Sequence, residues 1–299
     1  MLLLLCATCT TRADDSDSIA DTPDAKTHFG VFTNPQPVTI LGYTQDAMEP
    51  FVSPDGHYLF FNSSNSVVPT NLYYATAVDD TGLTFQFQGE IVGANAPSAL
   101  TAVASIDINN IFYFISNRSY AQTLSTIYSG TFSNGTLSNV ALVAGVSKNK
   151  LGDVNFDQCI SQDGGTLYFV DGVFNGGPVP KGASIAIARR NGDHFVRLKN
   201  SARIMRKINT HDLNYAPDVS KSGLEFFFTR IPIQNSQPKP PPVIYTATRS
   251  STSKPFGTPR KIKAITGFAE APALSPDEKA LYYHLQVNGT FVIYRLTRP

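Results

Sequence analysis

Residues 47–61 read Ala47-Met48-Glu49-Pro50-Phe51-Val52-Ser53-Pro54-Asp55-Gly56-His57-Tyr58-Leu59-Phe60-Phe61. This order predicts a short strand, a tight turn and a second strand. Pro presets φ in the turn, Asp accepts from the backbone that follows, and Gly tolerates a positive φ. The β-branched and aromatic flanks suit a pleated surface.

The hairpin recurs. Ser53-Pro-Asp-Gly before Leu59-Phe60-Phe61 is matched by Ser161-Gln-Asp-Gly before Leu167-Tyr168-Phe169. Ser220-Lys-Ser-Gly precedes Phe226-Phe227-Phe228, and Ser275-Pro-Asp-Glu precedes Leu281-Tyr282-Tyr283. A more distant copy starts at Ser105 and reaches Phe112-Tyr113-Phe114 with one extra turn residue. Third strands follow at Leu72, Ile127, Ile185, Ile244 and Ile293, and fourth strands follow the first four units. The fifth unit ends at Pro299 without one. Its missing strand is expected from the N-terminus, where Phe29-Gly30 through Ile40 echoes Phe256-Gly257 through Ile265.

A four-stranded unit repeated at about fifty residues predicts a β-propeller. The expected fold is all-β: a five-bladed propeller of four-stranded blades, the last closed by an N-terminal strand that removes an exposed edge. One domain is expected over 28–299, with blades at about 42–97, 98–147, 148–209, 210–266 and 267–299 plus 28–41. The hairpins resemble the Pro-Asp type (PD40) WD40-like repeats of TolB-like propellers, in which P-x-x-S-P-D-G precedes an aromatic strand. That resemblance implies a propeller that presents binding surfaces. TolB-like proteins usually carry six blades and an added N-terminal domain, whereas five units are expected here.

Composition agrees with a turn-rich β protein. Only 16% of the 299 residues are charged, the formal net charge is +1, and Trp is absent. No basic stripe argues for nucleic acid as a partner. Residues 1–13 have the apolar character of a signal or lipoprotein leader, too short to span a bilayer. Cys6 or Cys9 is the candidate lipidation site, and a lipid anchor is the one membrane attachment expected. Residues 14–27 are expected to form a disordered acidic tether. Together these predict an extracytoplasmic location, and a monomer is expected. Cys159 is the one body cysteine, so no disulfide forms within the body. Sequons begin at Asn62, Asn117, Asn134 and Asn288, about the number chance supplies in a Ser/Thr-rich chain.

No G-x-S-x-G, H-E-x-x-H, P-loop or G-x-G-x-x-G motif is present. The informative positions lie on the predicted innermost strands, before each turn. Asp153-x-Asn155-x-Asp157 aligns with Asp212-x-Asn214-x-Ala216 and with Gln45-x-Ala47-x-Glu49. Blade two offers Pro97, Ala99 and Thr101 at those positions, and blade five Gly267, Ala269 and Ala271. Period two puts each set on one face, which predicts a lopsided acidic funnel at one mouth of the ring, with room beside it. Tyr215 and Glu270 lie on the other parity. Arg118, Arg230 and His284 sit at or just beyond the ends of second strands, where they could meet an anionic ligand or act as a base. Asp153, Asn155 and Asp157 open like a calcium loop, although Gln158 and Gly164 replace its Gly and Glu. The bland alternative is that these polar side chains only satisfy backbone amides around a channel.

Two functions compete. The leading one is a noncatalytic extracytoplasmic module whose funnel and rim loops bind a protein or small polar ligand. The alternative is an enzyme, a hydrolase or lyase, acting on a carbohydrate or other small polar substrate through axial carboxylates, with a divalent cation in reach. Glu49, Asp157 and Glu270 would be its carboxylates, because glycoside hydrolysis needs a pair about 5–10 Å apart. Pocket geometry separates the two: convergent carboxylates in a deep cleft favour the enzyme, a plugged axis the module.

Overall fold

The aromatic triplets explain the architecture. In the computed structural model all fifteen triplet residues are at most 3% exposed. Each triplet lies in the second strand of a blade, where successive side chains point to opposite faces. Phe226 and Phe228 pack into the cluster between blades three and four, while Phe227 packs between four and five. Leu281 and Tyr283 share that second cluster, and Tyr282 points on towards blade one. Leu59 and Phe61 meet it there, and Phe60 turns to blade two. The same alternation carries Phe112 and Phe114 one way and Tyr113 the other, so the ring has one apolar cluster at each blade interface. Strands covered on both faces must be apolar throughout, which is why the triplets are unbroken.

The structure describes residues 29–65, 69–177 and 179–299. The predicted leader, the tether, Cys6 and Cys9 lie outside them. Blade three shows the plan: Asp153–Ile160, Thr166–Val173, Gly182–Asn191 and His194–Arg197 pair in order from the axis outward. In blade five the outermost strand is Thr33–Pro37, antiparallel to Thr290–Thr297, so the ring closes with the two ends of the described chain in one sheet. Blade one gains a fifth strand, Thr39–Leu41, parallel to Thr84–Glu90. Among the described residues the helices are two single turns, Tyr120–Thr123 and Ser201–Ile204.

The turn chemistry also repeats. Ser53 Oγ donates to Asp55 Oδ1 (2.5 Å) and accepts from the Tyr58 amide (2.9 Å). Ser161 with Asp163 and Ser275 with Asp277 do the same. Blade two departs from the expected alignment. Asp107, not Ser105, takes the serine's place: its amide donates to Ile111 O and its Oδ1 accepts from the Ile111 amide. The carboxylate closes a turn one residue shorter, so the blade carries no extra turn residue and its strand register moves by two.

Replacing Phe227, fully buried between two blades, by alanine should cost about 3–5 kcal/mol in denaturant unfolding. Val31→Ala, at a position 73% exposed, should stay within about 0.5 kcal/mol. A Phe227→Ala loss under about 1 kcal/mol would contradict this account of the blade interfaces.

Candidate functional site

Every innermost strand carries a bulge at one repeated position. The register slips between Met48 and Phe51, Ala102 and Ser105, Phe156 and Gln158, Tyr215 and Asp218, and Glu270 and Ala273. At each slip one non-glycine residue adopts a left-handed backbone: Glu49, Val103, Asp157, Ala216 and Ala271, with φ from 45° to 57°. Each lies four residues before its turn serine, or before Asp107. Such a conformation costs an L-residue about 1–2 kcal/mol, and bulges concentrate beside functional sites.

At four of the five the bulge turns an amide towards the preceding blade, whose side chain accepts from it. Val103 N–H donates to Asn62 Oδ1 (3.1 Å), Ala216 N–H to Asp157 Oδ2 (2.9 Å) and Ala271 N–H to Thr229 Oγ1 (3.0 Å). Glu49 N–H donates to His284 Nδ1 (3.0 Å). Asp157, on an innermost strand, and His284, on a second strand, thus each accept from a backbone amide of the next blade.

The bulges also break period two. Ala47, expected beside Glu49 on the funnel face, is buried in the core between blades five and one. In blade two Val103, not Thr101, stands at the ring, and Thr101 is buried against Ser116. Glu270, on the other parity, reaches the same space as Glu49 and Asp157. These three carboxylates, with Tyr215, line a cavity of about 490 Å³ that extends off the axis over blades two and three. Below it the axis narrows to a space of about 30 Å³ bounded by the bulges and the residues after them. The lopsided funnel is present, and its room lies over the small Ala102 and Val103 of blade two.

The hydrogen bonds distinguish the carboxylates. Glu270 accepts from Tyr215 Oη at Oε1 and lies 3.2 Å from His284 Nε2 at Oε2. Since His284 Nδ1 accepts from an amide, its proton sits on Nε2 and points at Glu270. Glu49 Oε1 accepts from Asn65 Nδ2 (2.8 Å), whereas its Oε2 is buried with no hydrogen-bond partner among the described residues. Burial first, then the charge of Asp157, holds the Glu49 carboxyl well above the ordinary carboxylate range. Burial also pushes Asp157 up to about 7; the Ala216 amide opposes this and the Glu270 charge adds to it. Burial, then Glu270, drives the Tyr215 hydroxyl upward as well.

Other expected site residues serve the scaffold. Arg118 lies over the rings of Phe114 (5.3 Å) and Tyr128 (4.9 Å) and donates to Ser116 Oγ and Ala94 O. Arg230 repeats this over Phe228 and Tyr245, donating to Asn214 Oδ1 (2.7 Å) and Ile208 O (2.7 Å). Asp212 accepts from the Ile233 amide, and neither it nor Asn214 lines the cavity. The arginines stack on rings of their own blades, and neither lines the cavity. Asn155 reaches the cavity wall, but its amide donates to Asp171 Oδ1 (2.9 Å). Asp153 stays at the outer end of its strand and off the wall. Asp153, Asn155 and Asp157 thus follow an extended strand instead of wrapping a centre, and among the described residues no group of three or more His, Cys, Asp or Glu is placed to hold a metal. Calcium finds no ligand set in them. Sequence reasoning missed Asn65, which lies in a loop, and the aromatic wall of Phe156 and Phe174; neither carries a motif.

No family model matches this chain, and no curated protein does. Solved structures do. One described as a glycoside hydrolase superposes with a TM-score of 0.60 at 10% identity, over 90% of this chain and 92% of that one. A thermostable family-43 glycoside hydrolase gives 0.52 at 13%, over 86% and 91%. The endo-arabinase from Bacteroides thetaiotaomicron gives 0.52 at 11%, over 88% and 97%. At such identity the likeness is one of fold, that of a propeller.

Glu49, Asp157 and, beneath the ring, Asp218 (up to about 7, chiefly through burial) all bind protons more tightly folded than unfolded. Their stabilising contribution is complete below about pH 4 and is lost as pH rises through each folded value, about 7 for Asp157 and Asp218. The melting temperature should therefore be higher at pH 5 than at pH 8, and Asp218→Asn should flatten the difference. A melting temperature that rises over this interval would contradict the assignment.

Proposed function

We propose that this protein hydrolyses glycosidic bonds at its axial carboxylates. The observation that carries the reading is the meeting of Glu49, Asp157 and Glu270 in one cavity, where burial holds the Glu49 carboxyl well above the ordinary carboxylate range. Hydrolysis of a glycoside needs one carboxyl group that protonates the leaving oxygen and a second carboxylate across the bond. Glu49 takes the first role. Its proton passes to the leaving oxygen as the bond from the anomeric carbon to that oxygen breaks. Glu270 takes the second role and removes a proton from the attacking water, whose oxygen bonds to the anomeric carbon. Tyr215 and His284 hold Glu270 in one orientation. His284 also grips the Glu49 amide, which links the acid's backbone to the base. Asp157 tunes the acid, because its charge raises Glu49 and its own proton is poised near neutrality. The cavity is of ligand size, and the described functions of the superposable structures support the same class.

A noncatalytic module retains one support: Asp157 and His284 both hold backbone amides between blades. Ligand binding without turnover, unchanged in Glu49→Gln, would favour it. An extracytoplasmic location fits the apolar start of the chain, and a monomer is sufficient for a site built within one ring.

The test is hydrolysis of a panel of aryl glycosides and plant and microbial glycans by the full chain, followed by reducing-sugar release. Glu49→Gln and Glu270→Gln should each lower kcat by about 10²–10⁴-fold with the melting temperature preserved. Turnover that survives both substitutions, or none by the wild type on any member, would overturn the reading.

A further inference from the structure

The cavity has two unlike parts. At the axis lie the carboxylates, Tyr215 and Asn65. Over blades two and three the wall is apolar, formed by Leu100, Ile115, Val154, Phe156, Phe174 and Pro180. Leu100, Val154, Phe156 and Phe174 are only partly buried, so each keeps surface uncovered where it meets the cavity. Phe174 packs edge-on against Phe156 (centroids 5.9 Å apart, 74°), and Phe156 lies 6.5 Å from the Tyr215 ring. The three rings form a continuous wall from the loop at the rim to Tyr215, whose hydroxyl donates to Glu270.

Gly172 makes that wall. A Cβ there would come 2.4 Å from Phe156 Cε1 and 3.0 Å from Phe174 Cε2. Several polar atoms in this part of the cavity are already engaged. Asn117 Oδ1 accepts from the Leu100 amide (2.9 Å), Asn155 Nδ2 donates to Asp171, and Thr126 Oγ1 donates to Asn155 O. A hydroxyl-rich ring placed here would meet a mostly apolar wall, and each buried hydroxyl left unpaired costs about 1–3 kcal/mol. A flat apolar group loses nothing by entering. Among the described residues no Lys or Arg lines any part of the cavity, and three carboxylates do, so an anionic substrate would be repelled.

We infer that the off-axis chamber binds an aromatic or similarly flat apolar aglycone, and that the substrates are neutral glycosides of such aglycones, with the sugar at the carboxylates. The inference rests on the glycosidase reading for the role of the carboxylates, while the chamber's preference is testable without turnover. The experiment measures binding of phenyl 1-thioglycosides against methyl 1-thioglycosides of the same neutral sugars, by thermal shift and calorimetry on the full chain. For the sugar that binds, the phenyl compound should bind at least about tenfold more tightly. Phe174→Ala should remove most of that ratio and leave the methyl compound within about twofold. Gly172→Ala, which displaces the Phe156 ring, should act the same way, and a preserved melting temperature verifies folding of both variants.

Equal binding of phenyl and methyl compounds, equal losses for both in Phe174→Ala, or no binding of any member would overturn the inference. An aryl preference without Glu49-dependent hydrolysis of O-glycosides would uphold the chamber and remove the glycosidase reading. Hydrolysis without an aryl preference would do the reverse.

Discussion

The site depends on the amides that the bulges turn towards their neighbours. At four of the five bulges the left-handed residue exposes an N–H at the axis that the preceding blade accepts through Asn62, Asp157, Thr229 or His284. An unmet buried amide would cost about as much as a lost hydrogen bond, so these contacts hold the ring in register where it is narrowest. The same geometry directs two bulge side chains, Glu49 and Asp157, into the cavity. Blade assembly and carboxylate placement are therefore one constraint. His284 makes this plain: one ring nitrogen serves the scaffold and the other serves Glu270.

Such a centre opposes stability. Non-glycine residues occupy a backbone region that favours glycine, and carboxylates are buried together with one oxygen, Glu49 Oε2, left with no hydrogen-bond partner among the described residues. The five interblade clusters offset this cost. Strain and perturbed proton affinities that gather at one point, away from the apolar cores, are the expected signature of a functional site.

Much of the fold was legible in the residues. The Ser-x-Asp-Gly turns and apolar triplets repeat because each blade solves the same two problems, closing a tight turn and covering both faces of its second strand. The closing strand was legible through the echo of Phe256-Gly257 in Phe29-Gly30. Blade two misled because Asp107 can close a turn as serine does, with one residue fewer, and the alignment shifted onto Ser105. The site was legible in part. Glu49, Asp157 and Glu270 stood out as axial carboxylates, but strict alternation along a strand could not foresee a bulge that brings both parities to one cavity. Arg118 and Arg230 looked available to a ligand because their ring partners lie elsewhere in sequence; Arg230, for example, pairs with Tyr245 on the next strand. Asn65, Phe156 and Phe174 gain their places only from the closed ring.

The central claim is that the axial carboxylates are desolvated together, so that they cannot all be ionised at neutral pH. Its most direct test is a carbon-13 NMR titration of the side-chain carboxyls, with Glu49 and Asp157 assigned by Glu49→Gln and Asp157→Asn. The account predicts that Glu49 titrates well above the ordinary carboxylate range and that Asp157 titrates near pH 7. Titration of both near pH 4, the range of carboxyl groups in water, would contradict it.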